Sequence, residues 1–181
     1  KTGTGKTRVI SHLARAIDLE GLANHRGSSF GQMPTPQPSQ IDFENALSIA
    51  LLRLLARGAG TIFLEDEGRL IGCLSLPEAL REKMAIAPLV IVEENLEDRI
   101  DLVVEDYVVD LGRRYLELYA EDGARLHSEK LQGDLARVRK RLGGLQYQQV
   151  SDMMAAAFAR QWADRDLSGH RQWIALLLEK Y

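Results

Sequence analysis

Lys1-Thr2-Gly3-Thr4-Gly5-Lys6-Thr7 constrains this chain more than any other stretch, because it reads as the end of a phosphate-binding loop. The full pattern is Gly, four residues, then Gly-Lys-Ser/Thr. Gly5-Lys6-Thr7 supply its end, and its first Gly would stand one residue before Lys1. Gly3 and Gly5, on either side of Thr4, let the backbone aim successive N–H groups at one anion. Lys6 adds a point charge on the β/γ-phosphate side, and Thr7 offers a hydroxyl to Mg²⁺. A helix over residues 8–15 presents its positive end to the same anion. The plainer alternative is a Gly/Thr-rich tail that happens to carry Gly-Lys-Thr. The amphipathic helix that follows at once argues against it. The chain is therefore read as starting inside the motif, without the strand that feeds the loop.

The bulk numbers bound the rest. A chain of 181 residues, 45% hydrophobic and 27% charged, has enough apolar surface for one real core. A net charge of −3 gives no global basic field for nucleic acid, although a local patch can suffice. Cys73 is the single cysteine, which excludes an internal disulfide and favours an intracellular, cytoplasmic setting. No apolar run approaches the length of a membrane span.

After the first helix, Ala16-Ile17-Asp18-Leu19-Glu20 reads as a short strand ending in acids. The Gly-rich loop of residues 21–31 follows, and its Asn24, His25, Arg26, Ser28 and Ser29 suit substrate or anion capture at a strand's carboxyl end. A simple surface loop is the alternative. Pro34, Pro36 and Pro38 mark an irregular segment, read as a linker rather than a lid. Asp42 is placed as the cap of a largely buried helix that Gly58 and Gly60 end.

Thr61-Ile62-Phe63-Leu64 running into Glu65-Asp66-Glu67 reads as a buried parallel strand with acids at its carboxyl end. Glu65 and Asp66 are the candidates for holding Mg²⁺ or polarising a nucleophile. A solvated turn is the competing view. Residues 69–74 suggest an extra strand carrying a buried Cys73, and Pro77 opens a helix that runs to about Ala85. Residues 87–93 form the strongest strand pattern, rich in Val and Ile. Arg99, one turn into the next helix, could face a phosphate or pair with an acid such as Glu97. From Asp101 onward the pattern is helical, with helices over residues 127–142, 150–164 and 170–181 and a stop at Gly143-Gly144. The basic run Arg137 to Arg141 is a solvated face or a phosphate track for RNA. These elements give an α/β class: a P-loop NTPase-like parallel sheet, its first strand missing, over residues 1–110, with a helical C-terminal part over 111–181 packed on it.

Three stretches together go beyond a generic phosphate loop: Thr2 to Thr7, then Ile17 to Gly31, then Phe63 to Glu67 with Arg69 and Ile71-Gly72. This set resembles the C-terminal domain of the tRNA 2-selenouridine synthase family. The end of the chain, His170 with Trp173-Ile174 and Leu177-Leu178 before Tyr181, is similar too. The resemblance implies a two-domain protein in which an N-terminal rhodanese-like domain, holding a reactive Cys, precedes this one. It implies action on wobble 2-thiouridine of tRNA, with an S-geranyl intermediate made from geranyl diphosphate and selenium then delivered from selenophosphate. It places a phosphate or diphosphate at Gly3, Thr4, Gly5, Lys6 and Thr7, Mg²⁺ at Thr7, Glu65 and Asp66, and the substrate side at Asn24, His25, Arg26, Ser28 and Ser29. Glu65, Asp66 and Arg26 are the candidates for chemistry. The rhodanese-like domain is absent from the sequence, and its cysteine does not map onto Cys73, so this stretch alone is not expected to complete the selenation.

Two rival readings remain open. A P-loop small-molecule kinase would bind ATP and phosphorylate a small acceptor. A regulatory module would bind ATP or GTP and switch conformation without chemistry.

Overall fold

The computed structural model describes residues 2–58 and 60–180, the Lys180 side chain excepted. Lys1, which opens the motif, and Tyr181, where the last helix was expected to end, lie outside the described residues. The chain divides into two compact units, Gly5–Val92 and Lys1–Thr4 with Glu93–Tyr181.

In the first unit, α1 (Lys6–His12) starts directly after Gly5, whose φ of 72° only glycine adopts without cost. The strand β1 (Ala16–Ile17) is shorter than its sequence suggests. Asp18 leaves the strand to cap a helical turn, α2 (Leu19–Leu22), accepting a hydrogen bond from Gly21 N at 2.7 Å. Strand β2 (Phe63–Leu64) runs parallel to β1, with Ala16 opposite Phe63 and Ile17 opposite Leu64. The extra strand expected at residues 69–74 is a hairpin, β3 (Leu70–Ile71) antiparallel to β4 (Leu74–Ser75). Gly72 at its turn has φ 63°, as the tight hairpin turns require. Cys73, in the same turn, is exposed rather than buried, because a two-residue turn has no inward face.

Helix α3 (Gln40–Ala56) covers this sheet fragment. Ser39, not Asp42, is its cap, and Asp42 sits in the first turn with its N–H bound to Ser39 Oγ at 3.2 Å. Phe43 and Leu47 are buried among Ile17, Leu19, Ile71 and Leu74. The helix is less buried than its composition suggests, since Ile49, Leu52 and Leu55 face solvent. Helix α4 (Glu78–Ala85) follows Pro77. Residues 87–93 form no strand: β propensity alone does not hold a strand that lacks a ladder partner, and none pairs with it among the described residues.

The second unit is helical. Asn95 caps α5 (Leu96–Val103) by accepting from Asp98 N at 2.9 Å. A π-helical stretch, Val104–Asp110, leads into α6 (Leu111–Tyr119), and a 3₁₀ turn, Ala120–Asp122, leads into α7 (Gly123–Arg137). A break at Val138 separates α8 (Arg139–Leu142), and Gly143, at φ 82°, separates that from α9 (Gly144–Asp164). Helix α10 (Ser168–Lys180) closes the chain's described part. Helix α9 packs on α10 and α7, α6 on α7, and α5 on α10. Fully buried Leu131, Leu135, Met154, Trp173 and Ile174 form the contact surfaces. A row of rings crosses them, in the order Tyr119, Tyr115, His127, Phe158, His170, Trp173.

Candidate phosphate-binding site

The loop is built from both ends. On the second unit's side, Gly3 has φ 77°, and a Cβ there would meet the Arg99 carbonyl and the Val103 side chain at 2.9 Å. Arg99 donates from Nε and Nη2 to the Thr2 carbonyl at 3.2 and 3.1 Å. Arg99 therefore holds the backbone of the loop's start. Thr4 is buried.

On the first unit's side, Gly5, Lys6 and Thr7 enter α1, whose opening N–H groups carry the helix's positive end. Thr7 Oγ1 lies 3.3 Å from Glu20 Oε2, with the hydroxyl donating. Glu20 is also hydrogen-bonded to Glu67, and Lys6 bears electrostatically on the same carboxyl. Two carboxyl groups this close share a proton. Burial first, then the Glu20 charge, push Glu67 from 4.5 up to about 7, against the pull of Lys6.

Glu65 is 2% exposed. Its Oε2 accepts from Leu19 N at 2.9 Å, and its Oε1 is buried without a hydrogen-bond partner. Burial raises it from 4.5 to about 7, and the charges of Asp18 and Glu20 add to that. Asp66 is exposed and stands outside this group. The acids gathered beside Lys6 and Thr7 are thus Glu20, Glu65 and Glu67. The sequence carried a signal for part of this: in extended chain, side chains alternate, so 65 and 67 share a face and 66 points away. For Glu20 no spacing rule would have found it.

The loop of residues 23–31 closes on the same carboxyls. A Cβ on Gly27 would overlap both Glu67 and Glu20, so only glycine lets the backbone approach them. Arg26 N donates to the Gly31 carbonyl at 2.9 Å, His25 bridges to Gln32, and Phe30 N donates to Ser28 Oγ at 3.2 Å. Asn24, at φ 48°, donates from Nδ2 to Thr35 O, Thr35 Oγ1 and Pro36 O at 3.1, 2.8 and 3.1 Å. Asn24 thereby anchors the proline-rich segment. Gln37 adds bonds to Ala23 O and Ile71 O at 2.9 and 3.0 Å, and accepts from Cys73 N at 2.9 Å. Gln40 clamps Ser75 from both sides. This segment is tied at three points rather than hanging as a linker. Gln37 and Gln40 went unremarked in the sequence because a glutamine's bonding target is set by tertiary neighbours.

An open cavity of about 480 Å³ lies between β1, α2 and α3, walled by Ile17, Leu22, Ala50 and Leu54 with Arg53 and Arg57. None of Lys6, Thr7, Glu20, Glu65 or Glu67 lines it. The basic run on α7 and α8 is partly engaged within its own unit. Arg137 pairs with buried Asp134 at 2.9 Å, and Arg139 lies over the Tyr147 ring at 5.1 Å. No helix among the described residues is long and apolar enough to cross a membrane.

A glycine loop at positive φ, a helix opening on Lys-Thr and a carboxyl cluster beside them define a phosphate-loop domain. The family described as tRNA 2-selenouridine synthase AAA domain matches residues 1–181, and the chain belongs to that family. It is 49% identical over 182 residues to a tRNA 2-selenouridine synthase of Marinobacter nauticus, covering 100% of this chain and 50% of the relative. It is 50% identical over 181 residues to that of Azotobacter vinelandii, covering 99% of this chain and 49% of the relative. The chain spans about half the length of the curated relatives it matches. No solved structure matches it.

Proposed function

We propose that this chain is the phosphate-binding domain of an enzyme that converts wobble 2-thiouridine in tRNA to 2-selenouridine through an S-geranyl intermediate. The diphosphate of geranyl diphosphate, or the phosphate of selenophosphate, is the ligand assigned to Gly3, Gly5, Lys6 and Thr7. A rhodanese-like domain in the other half of the polypeptide supplies the reactive cysteine. The observation that carries this reading is the meeting of Lys6 and Thr7 with Glu20 and Glu67 in a chain of this family.

The donors fit a hard divalent cation. Hydroxyl and carboxylate oxygens are the ligand types Mg²⁺ takes, usually one or two carboxylates with the remaining positions left to phosphate and water. Among the described residues no three His, Cys, Asp or Glu side chains form a closed metal cage, in keeping with that sparse mode. Thr7, Glu20 and Glu67 would hold Mg²⁺, with Glu65 behind them; bound there, the ion neutralises phosphate charge. Asp66, in its exposed position, is replaced in this assignment by Glu67. Lys6 and Arg26 bind and orient the anion, and the Gly27 backbone keeps water away from the carboxyl pair.

The test is direct binding to the full-length protein, with and without Mg²⁺, at fixed salt. The probes are geranyl diphosphate, selenophosphate, ATP, GTP and a wobble-thiolated tRNA. Binding of the prenyl diphosphate that Mg²⁺ strengthens, and that Lys6→Ala weakens at least tenfold with the fold intact, is the expected result. Binding unchanged by Lys6→Ala removes the loop from the mechanism. Tight ATP binding without affinity for tRNA or prenyl diphosphate replaces this reading with the kinase.

A further inference from the structure

In the first unit, an apolar stretch has the composition of a buried strand and the exposure of a loop. Leu89, Val90 and Ile91 are 66%, 72% and 71% exposed. They belong to a run from Pro88 to Val92 that carries no helix, turn or ladder. The same unit's parallel sheet is two strands of two residues each. Strands in stable sheets commonly hold five or six residues, and two strands alone are marginal. Strand β2 pairs with β1 along one edge, so its other edge is open. Phe63 on it is 39% exposed. Parallel sheets are ordinarily covered and extended by further strands, because an open apolar edge pairs with whatever extended chain reaches it.

Two further observations say what covers this edge. The phosphate-loop pattern follows directly from a strand. The chain also spans only half the length of its relatives, whose remaining residues are available to supply one. The loop's start is anchored next to the helix that residues 88–95 lead into: Thr2 is bound by Arg99, and Gly3 packs on Val103, both on α5. A segment entering at Thr2 therefore arrives beside the run that enters α5. Both stretches bring acids at their carboxyl ends, Glu65 after β2 and Glu93-Glu94 after Val92, so they point the same way relative to a loop that binds anions there.

We propose that the polypeptide directly upstream of the phosphate loop in the full-length protein docks as a central strand. It would be extended and apolar, and parallel both to residues 61–64 and to residues 88–92. It converts the run at 88–92 from exposed coil into a strand. It also fixes the phosphate loop, because a strand held on both sides delivers the loop's first glycine at one place.

The experiment uses the full-length protein and no ligand, so its outcome is independent of which phosphate compound binds. Backbone hydrogen exchange is read at residues 61–64 and 88–92. The expected result is exchange at least a hundredfold slower than the unstructured rate in both segments. A proline introduced among the five residues upstream of Lys1 is expected to abolish that protection. Val90→Lys is expected to lower the melting temperature by several degrees, whereas Ile86→Lys, at a position 87% exposed outside the run, shifts it by less than one. Exchange at the unstructured rate in the unaltered protein overturns the proposal whatever the variants do. Protection that survives the upstream proline shows another occupant and overturns it as well.

Discussion

The two units bury opposite kinds of titratable group, and they should answer pH in opposite ways. The phosphate-loop unit gathers carboxyls, Glu65 and Glu67, both pushed up to about 7 by burial and by neighbouring acids. The helical unit gathers imidazoles. His127 donates from Nε2 to the Tyr107 carbonyl at 2.8 Å, and His170 accepts from Trp173 Nε1 at 3.0 Å. Burial lowers both histidines to about 4. The two rings meet Phe158 edge-on from centroid distances of 5.2 and 4.8 Å. One unit keeps its acids protonated, the other keeps its bases bare, and each excludes charge from its interior. The difference is functional in only one of them. Carboxyls that resist ionisation beside Lys6 and Thr7 are poised to change state when a cation or a phosphate arrives. The imidazoles sit in a ring-packed core and act as core.

The comparison is broken most severely by deleting the ring that anchors the helical core. Trp173→Ala should cost about 3–5 kcal/mol, read as an earlier unfolding transition in denaturant. The optical signals isolate this unit, because both tryptophans and all five tyrosines lie in Glu93–Tyr181. Hydrogen exchange in α3 should stay as it was. Equal loosening of α3 would mean that the two units unfold as one.

Titration should sharpen the contrast next. A raised acid stabilises the fold below its unfolded value and loses that contribution as pH rises through the folded one. Glu65 and Glu67 therefore weaken the phosphate-loop unit as pH climbs from 4.5 to 7. A lowered base does the reverse: His127 and His170 support the helical unit above 6.5, and that support is lost as pH falls toward 4. Glu67→Gln removes one member of the carboxyl pair. It should stabilise the first unit at pH 7 by about 1 kcal/mol and flatten its pH slope, measured by hydrogen exchange across pH. The tryptophan signal should keep its acid sensitivity in the same variant. An unchanged slope would remove the carboxyl pair as its source.

The smallest effect is expected on the outer face of α3. Leu52 is 66% exposed, so Leu52→Lys should change stability by less than about 0.5 kcal/mol, whereas Phe43 on the inner face is fully buried. A larger loss at Leu52 in denaturant melts would show that this face is covered.

How far the sequence reached follows the same division. The helices of the second half were legible because their apolar periodicity is satisfied within the unit, by α9 against α10 and α7. The phosphate loop was legible because glycine, lysine and threonine at that spacing have few other uses. Residues 87–93 misled, since propensity describes what a strand is made of and not whether a partner is present. Helix α3 misled likewise: Ile49, Leu52 and Leu55 have the right spacing for burial, yet face solvent. Asp66 was favoured by adjacency to Glu65, while the two-residue alternation of an extended chain puts Glu67 beside Glu20. Asn24 lay in the right loop, but its bonds go to Thr35 and Pro36.

The π-helical stretch between α5 and α6 has a consequence for how this lineage tolerates changes of length. A turn closed from i to i+5 holds one residue more than the α-turn around it. Loss of one residue between Val104 and Asp110 is therefore absorbed by a tighter turn, and the faces on either side keep their alignment. The same loss inside α6 would swing Tyr115 by about 100° away from the His127 ring on which it stacks. Length variation in this half of the molecule is confined by geometry to seven residues.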